Sequence, residues 1–103
     1  MQRVGFVMRV REGQEIEYRR RHEAVFPDLL DAFSRLGVHH YGIFMDGRTL
    51  FAQMDVDGDF QETFDRLAAE PANLRWQAHM AGMMEPWPDG SIVRLIPEVF
   101  FHA

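Results

Sequence analysis

The sequence predicts an α+β fold in which strands and helices follow the order β-α-β-β-α-β around a four-stranded antiparallel sheet. Three observations predict it. Side chains alternate in character near the start of the chain, a glycine-containing turn joins two β-rich segments in its middle, and two helical segments interrupted by proline separate the strands. This order is the ferredoxin-like arrangement, whose helices cover one face of the sheet. A second copy covering the other face would give a dimeric α/β barrel.

The first strand is predicted over residues 3–11. Its apolar face consists of alternating residues, Val4, Phe6, Met8 and Val10. Gly13 ends the strand, and Gln14 to Glu23 then has the composition of a helix. We expect this helix to point Ile16 and Tyr18 inward.

Pro27 interrupts this helix, because proline lacks an amide hydrogen and disfavours helical geometry in the residue before it. A second helical segment therefore starts near Phe26. Its apolar residues are expected to be buried, namely Leu29, Leu30, Phe33 and Leu36. Gly37 is predicted to close the segment in a left-handed conformation.

The middle of the chain predicts a hairpin. Residues 38–45 and 49–56 both have strand composition, and the dipeptide Asp46-Gly47 between them is typical of a hairpin turn. Glycine favours such a turn because it accepts a positive φ without steric cost. The hairpin supplies the second and third strands.

The last third of the chain predicts a broken helix and a final strand. Asp59 is a suitable N-cap for a helix to about Glu70, and Pro71 opens a further helical piece reaching Met84. After a loop over residues 85–90, the last strand is predicted from Ile92 to Phe101. Pro97 inside it implies an edge position or a bulge.

Size and charge limit the classes of function. The 103 residues correspond to one domain, residues 1–103, and a chain this short benefits from a partner subunit. A net charge of −5, from 16 acidic and 11 basic residues, argues against a nucleic-acid partner, and Arg19-Arg20-Arg21 is interpreted as a solvated helix face. The absence of cysteine fits a cytoplasmic protein, and the N-terminal region has no apolar stretch long enough for a signal peptide or membrane span.

One pair of residues has the chemistry of a proton-transfer site. Tyr18 and His22 are four apart on a predicted helix and so lie on the same face, one turn apart. Imidazole titrates near neutral pH and can both donate and accept a proton. The alternative is a tyrosine in the core and a histidine on the surface, and spacing alone favours that alternative.

The other histidines do not predict a metal site. His39 and His40 are neighbours on a predicted strand and point to opposite faces, and His79 and His102 lack ligand spacing. We interpret His39, His79 and His102 as exposed or hydrogen-bonded. No glycine-rich phosphate loop or dinucleotide motif is present, so no cofactor is predicted.

Aromatic residues are numerous for this length, and sugar rings are commonly held by an apolar stacking surface. Most of them are expected to belong to the core. Trp76 and Trp87 flank a turn-rich segment, so we expect these two to line a pocket.

Several segments together resemble L-rhamnose mutarotases along the whole chain. They are VGFVMRV, EYRRRHEAVFPDL, the strand around His39-His40-Tyr41, RWQAHMAGMM, the loop with Pro88-Asp89, and EVFFHA. The resemblance implies a ferredoxin-like fold paired into a homodimer, a monosaccharide substrate and no cofactor.

The resemblance also implies roles for individual residues. His22 is the proton donor, and Tyr18, Tyr41 and Trp76 contact the sugar. Gln77 stands where the family usually has a second tryptophan, so it is expected to contact the substrate and to affect specificity. Residues 85–92 also depart from the family's asparagine-rich loop motif, and we hypothesise that Trp87 in this loop supplies the stacking plane that Gln77 does not give.

The sequence leaves alternatives open. The proton acceptor for the anomeric hydroxyl is a water, Tyr41, a strand histidine or the same imidazole. The substrate is L-rhamnose, L-fucose or another deoxy sugar. Two further hypotheses for the function are a haem or quinol-type monooxygenase, by analogy of fold alone, and a non-catalytic sugar-binding module.

Overall fold

Four strands form one antiparallel sheet, and four helices pack against one of its faces. The computed structural model describes residues 1–103. In chain order the elements are β1 (Gln2–Arg9), α1 (Glu15–His22), α2 (Pro27–Arg35), β2 (Val38–Asp46), β3 (Thr49–Val56), α3 (Phe60–Ala69), α4 (Pro71–His79) and β4 (Arg94–Ile96). The sheet order is β2-β3-β1-β4, with every neighbouring pair antiparallel. The predicted ferredoxin-like arrangement is confirmed.

The core lies between the helices and the face of the sheet that the alternation of β1 predicted. Val4, Phe6, Met8 and Val10 are all buried. On the neighbouring strand β3 the same face carries Leu50, Ala52, Met54 and Val56, and the helices add Leu29, Leu67 and Trp76 among others. Each fully buried large apolar side chain contributes about 1.5–3 kcal/mol, so this face supplies most of the stability.

The helix boundaries follow the predicted local signals. Pro27 and Pro71 occupy the first turn of α2 and α4, where a missing amide hydrogen costs nothing. The Asp59 carboxylate accepts a hydrogen bond from the Glu62 amide at 3.1 Å and caps α3. Gly37 follows α2 with φ of 79°, as predicted, and a Cβ at this position would lie 3.0 Å from Asp57.

The predicted hairpin is present, with its turn shifted by one residue. Asp46 pairs with Thr49 at the ends of β2 and β3, so Gly47 and Arg48 are the two central residues rather than Asp46 and Gly47. Gly47 has φ of 59° and Arg48 does not have a positive φ, which matches a type II′ turn with glycine at its first central position.

Two predicted core residues are exposed, and Phe33 and Leu36 are only half-buried. Ile16 is 85% exposed, although Tyr18 is buried. Residues two apart on a helix differ by about 200° in direction, so they cannot both point inward. Leu29 is buried, whereas its neighbour Leu30 is 50% exposed at the mouth of a cavity described below.

The C-terminal region differs most from the prediction. Helix α4 ends at His79 rather than Met84, and Gly82 lies in the following turn with φ of 84°. Strand β4 comprises only Arg94–Ile96, and Pro97 follows it rather than lying inside a strand. The pairing of β4 with β1 stops at Gly5, because proline offers no amide to continue it.

Polar contacts fix the helices relative to one another. Arg75 of α4 pairs with Asp28 of α2. On α1, Arg21 donates to the backbone carbonyl of His79 at the end of α4. Arg20 and Arg21 also bind Glu17 and hold the pKa of its carboxyl at about 2, so the arginine run lies on a polar helix face as predicted. No helix is both long and apolar enough to cross a bilayer.

Candidate active site

A cavity of about 620 Å³ opens between the helices and the inner face of the sheet. Pockets for small organic molecules typically measure about 300–1,000 Å³. Five of the residues predicted from the sequence to form a site line it, namely Tyr18 and His22 from α1, Tyr41 from β2, and Trp76 and Gln77 from α4. The fold therefore brings together side chains from three elements.

His22 is held in a defined orientation by its own helix. Its Nδ1 lies 3.0 Å from the backbone carbonyl oxygen of Tyr18. A carbonyl only accepts, so Nδ1 carries a hydrogen and donates it. The neutral ring then has its lone pair on Nε2, and the protonated ring has a hydrogen there, so Nε2 is the atom available to exchange a proton.

Two aromatic rings fix the plane of the imidazole. The Tyr18 ring lies beside it, with a centroid distance of 4.3 Å and an interplanar angle of 30°. Trp76 meets it edge to face at 5.2 Å and 88°, and Phe26 in turn meets Trp76 at 5.1 Å and 89°. This packing limits rotation of His22. A fixed orientation of the ring is what proton transfer to a bound molecule requires.

The two tyrosine hydroxyls stay protonated at neutral pH. Burial raises the pKa of Tyr41 to about 12. Burial raises the pKa of Tyr18 as well, and the nearby Tyr41 raises it further, because two phenolates would repel each other. Both hydroxyls therefore carry a hydrogen that they can donate.

This protonation gives a testable alkaline transition. Unfolded tyrosine ionises near pH 10, whereas folded Tyr41 keeps its proton to about pH 12. Its contribution to stability is complete below pH 10 and is lost as the pH rises to 12. We expect the free energy of unfolding, measured in urea, to fall over this interval and to fall less in Tyr41→Phe. An identical pH dependence in the variant would contradict the burial of this hydroxyl.

The cavity also contains residues that the sequence did not predict to belong to a site. Asn73 is the only further polar one, and the rest are apolar or aromatic, such as Val25, Phe33, Ile43 and Phe64. Asn73 lies one turn before Gln77 on α4. The four-residue spacing predicts that the two amides share one face of the helix. The sequence alone does not show that this face borders a cavity.

Trp87 does not line this cavity, so the expectation that it does is wrong. Its indole Nε1 donates to the carbonyl of Val7 at 3.2 Å. The guanidinium groups of Arg9 and Arg94 lie 5.0 and 5.3 Å from its ring. These contacts place the ring beside β1, among residues that do not line the cavity.

The histidines outside the cavity have other partners or face solvent. His39 Nε2 lies 3.0 Å from the Asp57 carboxylate, and His40 Nδ1 lies 3.2 Å from that of Asp55. His79 and His102 are exposed. The interpretation of His39, His79 and His102 as exposed or hydrogen-bonded is confirmed.

Comparison with known proteins decides the family. The family model for L-rhamnose mutarotase matches residues 3–102. The chain belongs to the L-rhamnose mutarotase family. The mutarotase resemblance read from the sequence is thereby confirmed.

Relatives and solved structures agree with this assignment. An L-rhamnose mutarotase from Burkholderia orbicola is 39% identical, covering 99% of this chain and 98% of the relative. One from Listeria monocytogenes is 34% identical over the full length of both chains. The crystal structure of an L-rhamnose mutarotase from Formosa agariphila superposes with a TM-score of 0.82 at 33% identity, covering all of both chains.

A more distant structure shares the fold alone. Tetracenomycin F2 cyclase from Streptomyces glaucescens, a type-II polyketide cyclase, matches with a TM-score of 0.61 at 14% identity, covering 100% of this chain and 97% of the cyclase. The same scaffold therefore supports different chemistry, and the reaction depends on the cavity residues.

Proposed function

We propose that this mutarotase-family protein interconverts the α and β anomers of L-rhamnose by acid-base ring opening and closure, without a cofactor. The observation that carries the proposal is His22, whose Nδ1 is bonded to a carbonyl and whose ring lines a cavity shared with Tyr18, Tyr41 and Trp76. These residues supply one imidazole, two hydroxyl donors and an aromatic wall.

The reaction needs one proton to reach the ring oxygen and another to leave the anomeric hydroxyl. Protonated His22 gives its Nε2 hydrogen to the ring oxygen as the bond from that oxygen to C1 breaks. Loss of the hydroxyl proton completes the open-chain aldehyde. Rotation about the C1–C2 bond and reversal of both transfers close the ring as the other anomer.

His22 is also the best candidate for the base. Tyr41 is a poor acceptor, because its pKa of about 12 keeps it protonated. His39 and His40 are bonded to aspartates and do not line the cavity. The ring oxygen and the anomeric oxygen are both attached to C1, so a single Nε2 can serve each in turn, with water as the alternative acceptor.

The decisive experiment is saturation-transfer NMR between the α and β anomeric proton signals of L-rhamnose, with and without the protein. We expect protein-dependent exchange for L-rhamnose. Exchange for L-fucose alone would keep the reaction and change the substrate. Exchange for neither sugar would contradict a mutarotase function and favour a sugar-binding role.

We further propose that the protein works as a homodimer built on the outer face of its sheet. That face carries large exposed apolar side chains, including Phe44 at 73% and Phe51 at 47% exposure. They are direct cross-strand partners, and Phe51 also faces Val7. Ile96 lies over Gly5 on the same face. A contiguous apolar patch of this kind is typical of an interface, and a second copy would complete a dimeric α/β barrel.

A single charge tests this interface. Phe44→Asp is expected to convert the dimer to a monomer, because the carboxylate would be desolvated between two sheets. Light scattering after size-exclusion chromatography measures the mass. Ile16→Asp places the same charge on an exposed position of α1 and should leave the dimer intact. Unchanged mass in Phe44→Asp would contradict an interface on this face.

A further inference from the structure

Asn73 and Gln77 form the only pair of amide side chains in the cavity, whose remaining lining is aromatic or aliphatic apart from His22. A sugar placed there needs partners for its hydroxyl groups, since an unpaired polar group in an apolar site costs about 1–3 kcal/mol. Proton transfer occupies His22, and the tyrosines supply only two hydroxyls. The amide pair is the largest remaining source of hydrogen bonds.

The two amides are ordered relative to each other. They lie four residues apart on α4 and share a face, and Gln77 Nε2 donates to Asn73 Oδ1 at 3.4 Å. This bond uses the carbonyl oxygen of Asn73 and one hydrogen of Gln77. It leaves the Asn73 Nδ2 hydrogens as donors and the Gln77 Oε1 oxygen as an acceptor, side by side.

The pair sits at the mouth of the cavity, on the same helix as the aromatic wall. Gln77 is exposed and Asn73 half-buried, whereas the adjacent Trp76 is buried. A sugar whose anomeric end reaches His22 beside Trp76 would present its other hydroxyls toward this mouth. A donor next to an acceptor matches two neighbouring hydroxyls, each of which both donates and accepts.

We propose that Asn73, ordered by Gln77, is a specificity-determining residue that donates to one hydroxyl of the sugar away from its anomeric carbon, while Gln77 accepts from the adjacent hydroxyl. The inference rests on the proposed mutarotase function and extends it to recognition of the remote hydroxyls. We expect these contacts to be equally strong in the bound sugar and in the transition state, so their loss raises KM and leaves kcat nearly unchanged.

The test is Asn73→Asp. Aspartate keeps the size and the oxygen that accepts from Gln77, and removes the Nδ2 donor. We expect the KM for L-rhamnose anomer exchange, and the Kd for L-rhamnose from NMR titration, to rise about tenfold or more with kcat nearly unchanged. Gln77→Glu, which removes the hydrogen bond that orders the pair, should raise both as well. Gln61→Glu on the exposed face of α3 introduces the same charge and should change neither.

An L-rhamnose analogue that lacks one further hydroxyl gives a more specific test. On an L-rhamnose analogue lacking the hydroxyl that Asn73 binds, Asn73→Asp should bind as tightly as the parent protein. An unchanged Kd for L-rhamnose in Asn73→Asp would overturn the inference. If the parent protein still catalyses anomer exchange in that case, the proposed function stands. Binding without exchange by the parent protein, with weaker binding in Asn73→Asp, would overturn the function and support the recognition role. Absence of both exchange and binding in the parent protein would overturn both.

Discussion

Replacing His22 with glutamine is expected to lower kcat/KM for anomer exchange by about 10²–10⁴-fold, the range that positioned proton transfer usually contributes. Glutamine keeps a polar side chain of similar length on α1 and cannot carry a proton to the ring oxygen. His22 is only partly buried, so the fold should persist. Saturation-transfer NMR with L-rhamnose measures the rate, and circular dichroism checks the helices.

His79→Gln is the matched control for this experiment. His79 also packs against Trp76, with ring centroids 5.5 Å apart, yet it is exposed and does not line the cavity. Its replacement should leave the exchange rate within about twofold of the parent protein, as is usual for surface positions. Near-parental exchange in His22→Gln would remove His22 from the mechanism, and an equal loss in both variants would point to packing around Trp76 instead.

Local chemistry made most of the fold predictable. The alternation of β1, the glycine turn between β2 and β3, and the prolines that open α2 and α4 each act over a few residues. The cap at Asp59 and the left-handed Gly37 belong to the same class. Each of these features is determined by the backbone preferences of a few neighbouring residues, so the local sequence is enough to predict it.

Features that depend on packing between distant elements were not predictable in the same way. Composition predicts apolar positions such as Ile16 and Leu30 to be buried, but which face of a short helix meets the sheet depends on the neighbouring elements. Residues 92–101 have strand composition throughout. Only Arg94–Ile96 forms a strand, because β1 offers partners there and Pro97 stops the pairing.

The candidate site contains some residues that local spacing predicts and others that only the packing of distant elements brings together. The four-residue spacing of Tyr18 and His22 places them together on α1, and the structure adds the Tyr18 carbonyl that orients the imidazole. That Tyr41 and Trp76 join them followed from the family resemblance, since no spacing relates β2 to α4. Trp87 was misplaced because an indole that is near a pocket-lining helix in sequence can pack against other elements, here the backbone of β1 and two arginines.

Trp76 is expected to couple stability to catalysis. It is 7% exposed and contacts both His22 and Phe26 edge to face. Trp76→Ala should lower the free energy of unfolding in urea by about 3–5 kcal/mol, the usual effect of deleting a buried indole. Because a small domain has about 5–15 kcal/mol in total, the variant should be marginal at 37 °C. Its kcat/KM should also fall, because the space left by the missing indole would let the His22 imidazole change its orientation.

Trp76→Phe separates the two effects. Phenylalanine keeps an aromatic ring in the core, so it should recover most of the stability while leaving a gap beside His22 and the sugar. Exchange slower than in the parent protein, in a variant that is nearly as stable, would assign a role in the reaction to the indole itself. Trp87→Phe changes the tryptophan outside the cavity and should leave exchange unaltered, because its ring contacts Arg9 and Arg94 rather than the site. Equal slowing in Trp87→Phe would mean that the loop closes over the cavity when sugar binds, and would restore Trp87 as a substrate contact.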